Sequence, residues 1–114
     1  MGDFRELEVW SNARRLTLAA FELTRVRARR ESTSKLTAEI QHSCIEMLSY
    51  IQRFGETTNL DSRTAAVKTA SKIGLLFAEA RTVGLIGTFE LALIMREVTA
   101  VKESLKEVGS MALC

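Results

Sequence analysis

Few residues in this chain have the types and spacing that chemistry requires. Glu39-x-x-His42-x-x-x-Glu46 sets the sole histidine between two carboxylates at helical spacing, and Glu-x-x-His is one half of the donor set used by di-metal carboxylate bundles. Such a site needs two of these elements aimed into the bundle, whereas this segment supplies one and its helical projection turns His42 away from the apolar stripe of Leu36, Ile40 and Met47. A solvated histidine flanked by carboxylates is expected, and no metal ligand is assigned; a metal-dependent enzyme centred on Glu39, His42 and Glu46 is the weakest of the readings. Cys44, two residues from His42, falls on the apolar stripe itself and so reads as a buried structural thiol rather than a nucleophile with a base beside it. The six glycines fall mostly at ends and turns and form no phosphate-cradling loop. No catalytic residue and no cofactor is expected.

A second polar constellation is Arg25-x-Arg27-x-Arg29-Arg30, with Lys35 beyond it and Arg14 and Arg15 further back. Arg14, Arg15, Arg25, Arg29 and Arg30 could neutralise phosphates of RNA or DNA without reading bases. Cations at the end of a helix also complement its dipole, and Glu22 and Glu31 interrupt the patch, so a solvated helix terminus is the competing reading. No aromatic residue is interleaved to stack on bases, which argues against sequence-specific single-strand recognition.

The elements that must position these residues follow from composition and period. The chain has 114 residues, 46% of them apolar, and no proline, which suits long helices joined by short loops within a single domain spanning 1–114. A net charge of +2 is too weak for the overall field to argue for nucleic acid or acidic membranes. Cys44 and Cys114 lie far apart without metal spacing, as two free thiols in a reducing cytoplasm would. The N-terminus opens on charged and aromatic residues rather than a secretory apolar run, and no stretch approaches a membrane span, so a cytoplasmic chain with no membrane partner is expected.

Four helices are predicted, near residues 4–30, 34–54, 62–83 and 88–108. Asp3 and Glu6 have capping-box spacing, and Leu7, Trp10, Ala13, Thr17, Ala20, Phe21 and Thr24 then mark an apolar stripe opposite a solvated one of Glu8, Arg15, Glu22 and Arg29. After N-cap hydroxyls at residues 32–34, Leu36, Ile40, Ser43, Cys44, Met47, Leu48, Ile51 and Phe54 line helix two, which is expected to stop at Gly55. Ala66, Ala70, Ile73, Phe77 and Ala80 line helix three up to a turn at Gly84. Thr88 is expected to cap helix four, whose seam is Leu91, Ile94, Val98, Val101, Leu105 and Val108. One-sided helices with short connections bury their stripes most simply as an all-α, antiparallel up-down-up-down four-helix bundle.

A second apolar surface remains. Helix three also presents Val67, Ser71, Gly74, Leu75 and Ala78, helix four presents Phe89, Leu93 and Ala100 away from its seam, and the loop between them adds Leu85 and Ile86. One bundle cannot easily cover both faces. Val67, Ser71, Leu75, Ala78, Phe89, Leu93 and Ala100 are therefore candidate subunit-interface residues.

The opening Phe4-Arg5-Glu6-Leu7-Glu8-Val9-Trp10-Ser11-Asn12-Ala13 resembles the start of a bacterial family of ribosomal-protein-like four-helix bundles, some members of which are encoded in intervening sequences of large-subunit ribosomal RNA genes. The likeness continues through Leu16-Thr17-Leu18, Leu23-Thr24, Leu36-Thr37-Ala38-Glu39-Ile40 and Val83-Gly84-Leu85-Ile86. It departs at Tyr50-Ile51-Gln52-Arg53-Phe54-Gly55-Glu56, where the family has an Asn-Ile-Ala-Glu-Gly-Phe-Gly-Arg-like segment, and at Lys68-Thr69-Ala70-Ser71-Lys72-Ile73, where Lys72 replaces a carboxylate. The resemblance implies an up-down bundle, a homopentameric ring and no established enzyme activity. Distant relatives are basic accessory subunits of reverse transcriptases that bind protein and nucleic acid. The expectation is a non-enzymatic homo-oligomeric scaffold or adaptor of the bacterial cytoplasm; the alternative is an accessory protein contacting RNA or DNA phosphates.

Overall fold

A computed structural model describes the backbone of residues 4–27 and 31–112 and the side chains of residues 8–25 and 33–108. The chain forms four helices, α1 (Phe4–Arg27), α2 (Glu31–Thr57), α3 (Leu60–Thr82) and α4 (Thr88–Ala112), with no strand among the described residues. Each helix is roughly 35–40 Å long at 1.5 Å per residue. The connection between α2 and α3 is only Thr58 and Asn59, far too short to run back along a helix, so consecutive helices must reverse direction. The backbones of α1 and α2, α2 and α3, α3 and α4, and α4 and α1 run close together, a closed square whose diagonal pairs make no such close backbone approach among the described residues. The expected antiparallel bundle is what the helices build.

Local hydrogen bonds explain where the helices end. Gly55 does not stop α2. The helix continues to Thr57, and Thr58 takes the left-handed conformation (φ 55°), its N–H donating to Phe54 O at 2.8 Å. Asn59 then caps α3, its Oδ1 accepting from the N–H of Asp61 (2.8 Å) and of Ser62 (3.4 Å). At the far end of α3, Gly84 (φ 81°) donates to Arg81 O and Leu85 to Ala80 O, the paired bonds of a Schellman turn. That turn folds Leu85 and Ile86 into the core, so they leave the second apolar surface on which their loop position had placed them.

The N-cap of α4 is Gly87 rather than Thr88: its carbonyl accepts from the Leu91 N–H at 3.0 Å and its N–H donates to Glu90 Oε1 at 2.9 Å. Thr88 instead accepts from Arg81 Nε. The Asp3–Glu6 capping box lies outside the described side chains.

One core runs down the axis. α2 supplies Ile40, Cys44, Met47, Ile51 and Phe54; α3 supplies Ala66, Ala70, Ile73, Phe77 and Ala80; α4 supplies Ile94, Val98, Val101, Leu105 and Val108. These are the expected stripes, except that Leu91 is only half-buried. α1 is turned from its expected setting, because Val9, Ala13, Leu16 and Ala20 form its buried line while Trp10, Thr17 and Phe21 are half-buried. Apolar residues occur on nearly every side of α1, so spacing alone did not select the inner one. Buried polar groups are mostly satisfied locally or across helices. Thr24 Oγ1 donates to Ala20 O and accepts from Gln41 Nε2, both at 2.9 Å, which ties α1 to α2.

Candidate functional site: two grooves beside the last helix

The second apolar surface resolves into two groups on either side of α4. On the α3 side, Ser71, Gly74, Leu75 and Ala78 face Leu91, Met95, Val98 and Lys102 across an open groove of about 380 Å³. Gly74 makes this approach close, since a Cβ there would stand 3.1 Å from Met95 Sδ and 3.8 Å from Val98 Cγ1. Leu75 is 72% exposed on this side, and Met95 is exposed beside it. Val67, one turn before Ser71, is half-buried on the same side of α3.

On the α1 side, Leu93 and Ile94 meet Ala19 and Leu23 in a groove of about 330 Å³ edged by Arg15, Glu22, Glu90, Arg96 and Glu97. Here charges span the apolar floor: Arg15 Nη1 lies 3.9 Å from Glu97 Oε2, an oxygen that is buried and accepts no hydrogen bond. Phe89, 75% exposed, and half-buried Ala100 lie along the same stripe of α4 as Leu93. The interface residues read from sequence therefore sit as Val67, Ser71, Leu75 and Ala78 on one side and Phe89, Leu93 and Ala100 on the other. Spacing shows which residues share a side of a helix but not which neighbouring helix that side meets.

A third concavity, about 440 Å³, lies at the end of the bundle where Val9 and Trp10 of α1 meet Ile51, Phe54 and Gly55 of α2 and Val108 of α4.

The arginine constellation is less free than its sequence suggests. Arg15 is engaged with Glu97, and Arg25 Nη2 lies 3.4 Å from Glu22 Oε2. Arg14 is exposed on the same outer side of α1 as Arg25; Arg29 and Arg30 lie outside the described residues. Lys102 lines the α3–α4 groove, a position that sequence reading passed over, while Lys68 and Lys72 are exposed on the outer side of α3 with Asp61 and Glu79.

His42 is exposed, its Nε2 3.9 Å from Glu46 Oε1, while Glu39 is also exposed. Cys44 is fully buried and desolvation pushes its thiol pKa up to about 12, so the thiol is protonated at neutral pH. Cys44 and His42 thus occupy different sides of α2. Among the described residues no three His, Cys, Asp or Glu side chains converge, and no helix is long and apolar enough to cross a membrane.

Compared with protein-family models, with characterised proteins and with solved structures, the chain matches none of them.

Proposed function

We propose that the chain is a non-enzymatic, homo-oligomeric scaffold or adaptor of the bacterial cytoplasm, assembled as a pentamer through the sides of α3 and α4 that its own core leaves uncovered. The observation that carries this reading is the groove in which Leu75 and Met95 stand exposed over Gly74 and Ala78. Four helices already bury one continuous core, so these residues add nothing to it, and contiguous exposed apolar surface on a soluble chain marks an interaction site more often than chance. Leu93 and Phe89 extend the uncovered surface along the other side of α4.

The test is substitution at exposed positions. Leu93→Arg and Leu75→Arg are each expected to yield a smaller assembly of unchanged helicity, read by light scattering and circular dichroism. An unchanged mass in both folded variants would remove these surfaces from the assembly.

The alternative reading, an accessory protein binding RNA or DNA backbones through Arg14, Arg15, Arg25, Arg29 and Arg30, has less support because Arg15 and Arg25 already face carboxylates. Salt-dependent fluorescence anisotropy with labelled RNA and DNA distinguishes it, since phosphate neutralisation weakens steeply with salt.

A further inference from the structure

The concavity at the end of the bundle shares no lining residue with either groove beside α4, so it stands whether or not the chain assembles. Its volume of about 440 Å³ falls within the roughly 300–1,000 Å³ of sites that hold one small molecule. Its make-up is also of that kind, an apolar body with a few polar groups at one edge. Val9, Ile51, Phe54 and Val108 are core residues that reach it, and half-buried Trp10 stands beside them.

Gly55 keeps this space open. A glycine inside a helix weakens it, and nothing in the backbone calls for one here: Gly55 lacks a positive φ, and a Cβ on it would meet nothing within 4 Å. What the missing side chain leaves is free volume at the lining of the concavity.

The polar edge carries one sign of charge. Gln52 and Glu56 are exposed one turn apart, and Gln52 Nε2 donates to Glu56 Oε1 at 3.1 Å. That bond steadies the carboxylate at the pocket and leaves Glu56 Oε2 and Gln52 Oε1 as acceptors. No Lys or Arg is among the described lining residues, and the guanidinium of neighbouring Arg53 lies over the Tyr50 ring, 5.8 Å from its centroid. The last turn of α2 has no basic residue, so the negative end of its dipole adds to the Glu56 charge. Trp10 and Phe54 supply aromatic surface, which packs against apolar groups and attracts cations.

We infer that this pocket binds an apolar amine: an aryl or branched alkyl body rests on Val9, Trp10 and Phe54, and an ammonium group meets the Gln52–Glu56 pair. An anion of the same shape would be repelled by Glu56, and a neutral one would gain only the apolar contact.

Trp10 is the sole tryptophan, so its emission reports occupancy. Three probes with one body and different ends are phenylbutylamine, phenylbutanol and phenylbutyrate. The amine is expected to change Trp10 emission saturably and to bind about fivefold more tightly than the alcohol, the upper range for an exposed ion pair, with the carboxylate weakest. Glu56→Gln removes the charge, keeps the shape and is expected to bring the amine to the alcohol's affinity. Gly55→Leu is expected to abolish binding of all three, by calorimetry as well as emission, with helicity and thermal midpoint retained because its side chain enters open space. Absence of saturable binding by any probe, or binding that survives in folded Gly55→Leu, would overturn the site. Equal affinities for the three probes, or a preference for the amine that Glu56→Gln leaves intact, would overturn the assignment of its ligand.

Discussion

Phe77 and Leu75 lie two residues apart on α3 and meet opposite fates: the phenylalanine is fully buried between helices, while the leucine is exposed on the groove side. The same division runs along α4, where Ile94 is buried and Met95 is exposed. Both sides of these helices are apolar, so side-chain chemistry does not explain the difference. What separates them is whether another helix of the same chain is present to cover the side. A core formed by four helices has only four inner sides to fill, and the further apolar residues of α3 and α4 are left uncovered by the chain itself.

Substitutions on either side of that division should behave differently. The largest effect belongs to Phe77→Ala, which empties a fully buried site and should cost about 3–5 kcal/mol in denaturant unfolding. Leu75→Arg should leave the unfolding free energy of the monomer within about 0.5 kcal/mol; a loss as large as that of Phe77→Ala would mean that Leu75 belongs to the fold. On α2 the contrast recurs between buried Cys44 and its neighbour Ile45, which is 57% exposed.

Because burial raises the Cys44 thiol from 9.0 to about 12, the folded state favours its protonated form. The associated stability is complete below pH 9 and is lost as pH rises from 9 towards 12. The peptide containing Cys44 should therefore resist iodoacetamide at pH 8 in the native protein and be alkylated in denaturant; ready native labelling would contradict the burial.

Gly74→Ala tests the boundary between core and groove. Helix propensity favours alanine by about 1 kcal/mol, and the close Met95 thioether is the far end of a flexible side chain that can swing outwards. Unfolding should shift by no more than about 1 kcal/mol, while self-association weakens because Met95 is pushed into the groove. Smallest of all is Ile45→Thr, expected within about 0.5 kcal/mol and without effect on assembly mass, since Ile45 lies on neither side of α4.

Much of this division was legible in the sequence. The stripes of α2, α3 and α4 follow helical spacing, and the one-sidedness of α2 placed Cys44 inside and His42 outside. α1 was less legible because Val9, Trp10, Leu16, Leu18 and Phe21 distribute apolar surface around the whole helix, and neighbours decide which side turns inward. Helix ends were misread for a related reason. Gly55 looked like a stop, yet the left-handed position fell at Thr58, and Leu85 looked exposed until the hydrogen bonds of the Gly84 turn carried it inward. The two groups of exposed residues on α3 and α4 were visible as residues, but their separation onto opposite sides of α4 required knowing that α1 and α3 are its neighbours.

The measurement that bears most directly on this account is the molar mass of the unmodified chain in solution, followed by light scattering or sedimentation equilibrium from micromolar to near-millimolar concentration. A closed assembly several times the 12.7 kDa of one chain, constant over that range, is the predicted result. A mass of one chain at every concentration would contradict it and would mean that the exposed sides of α3 and α4 are not joined to copies of the same protein.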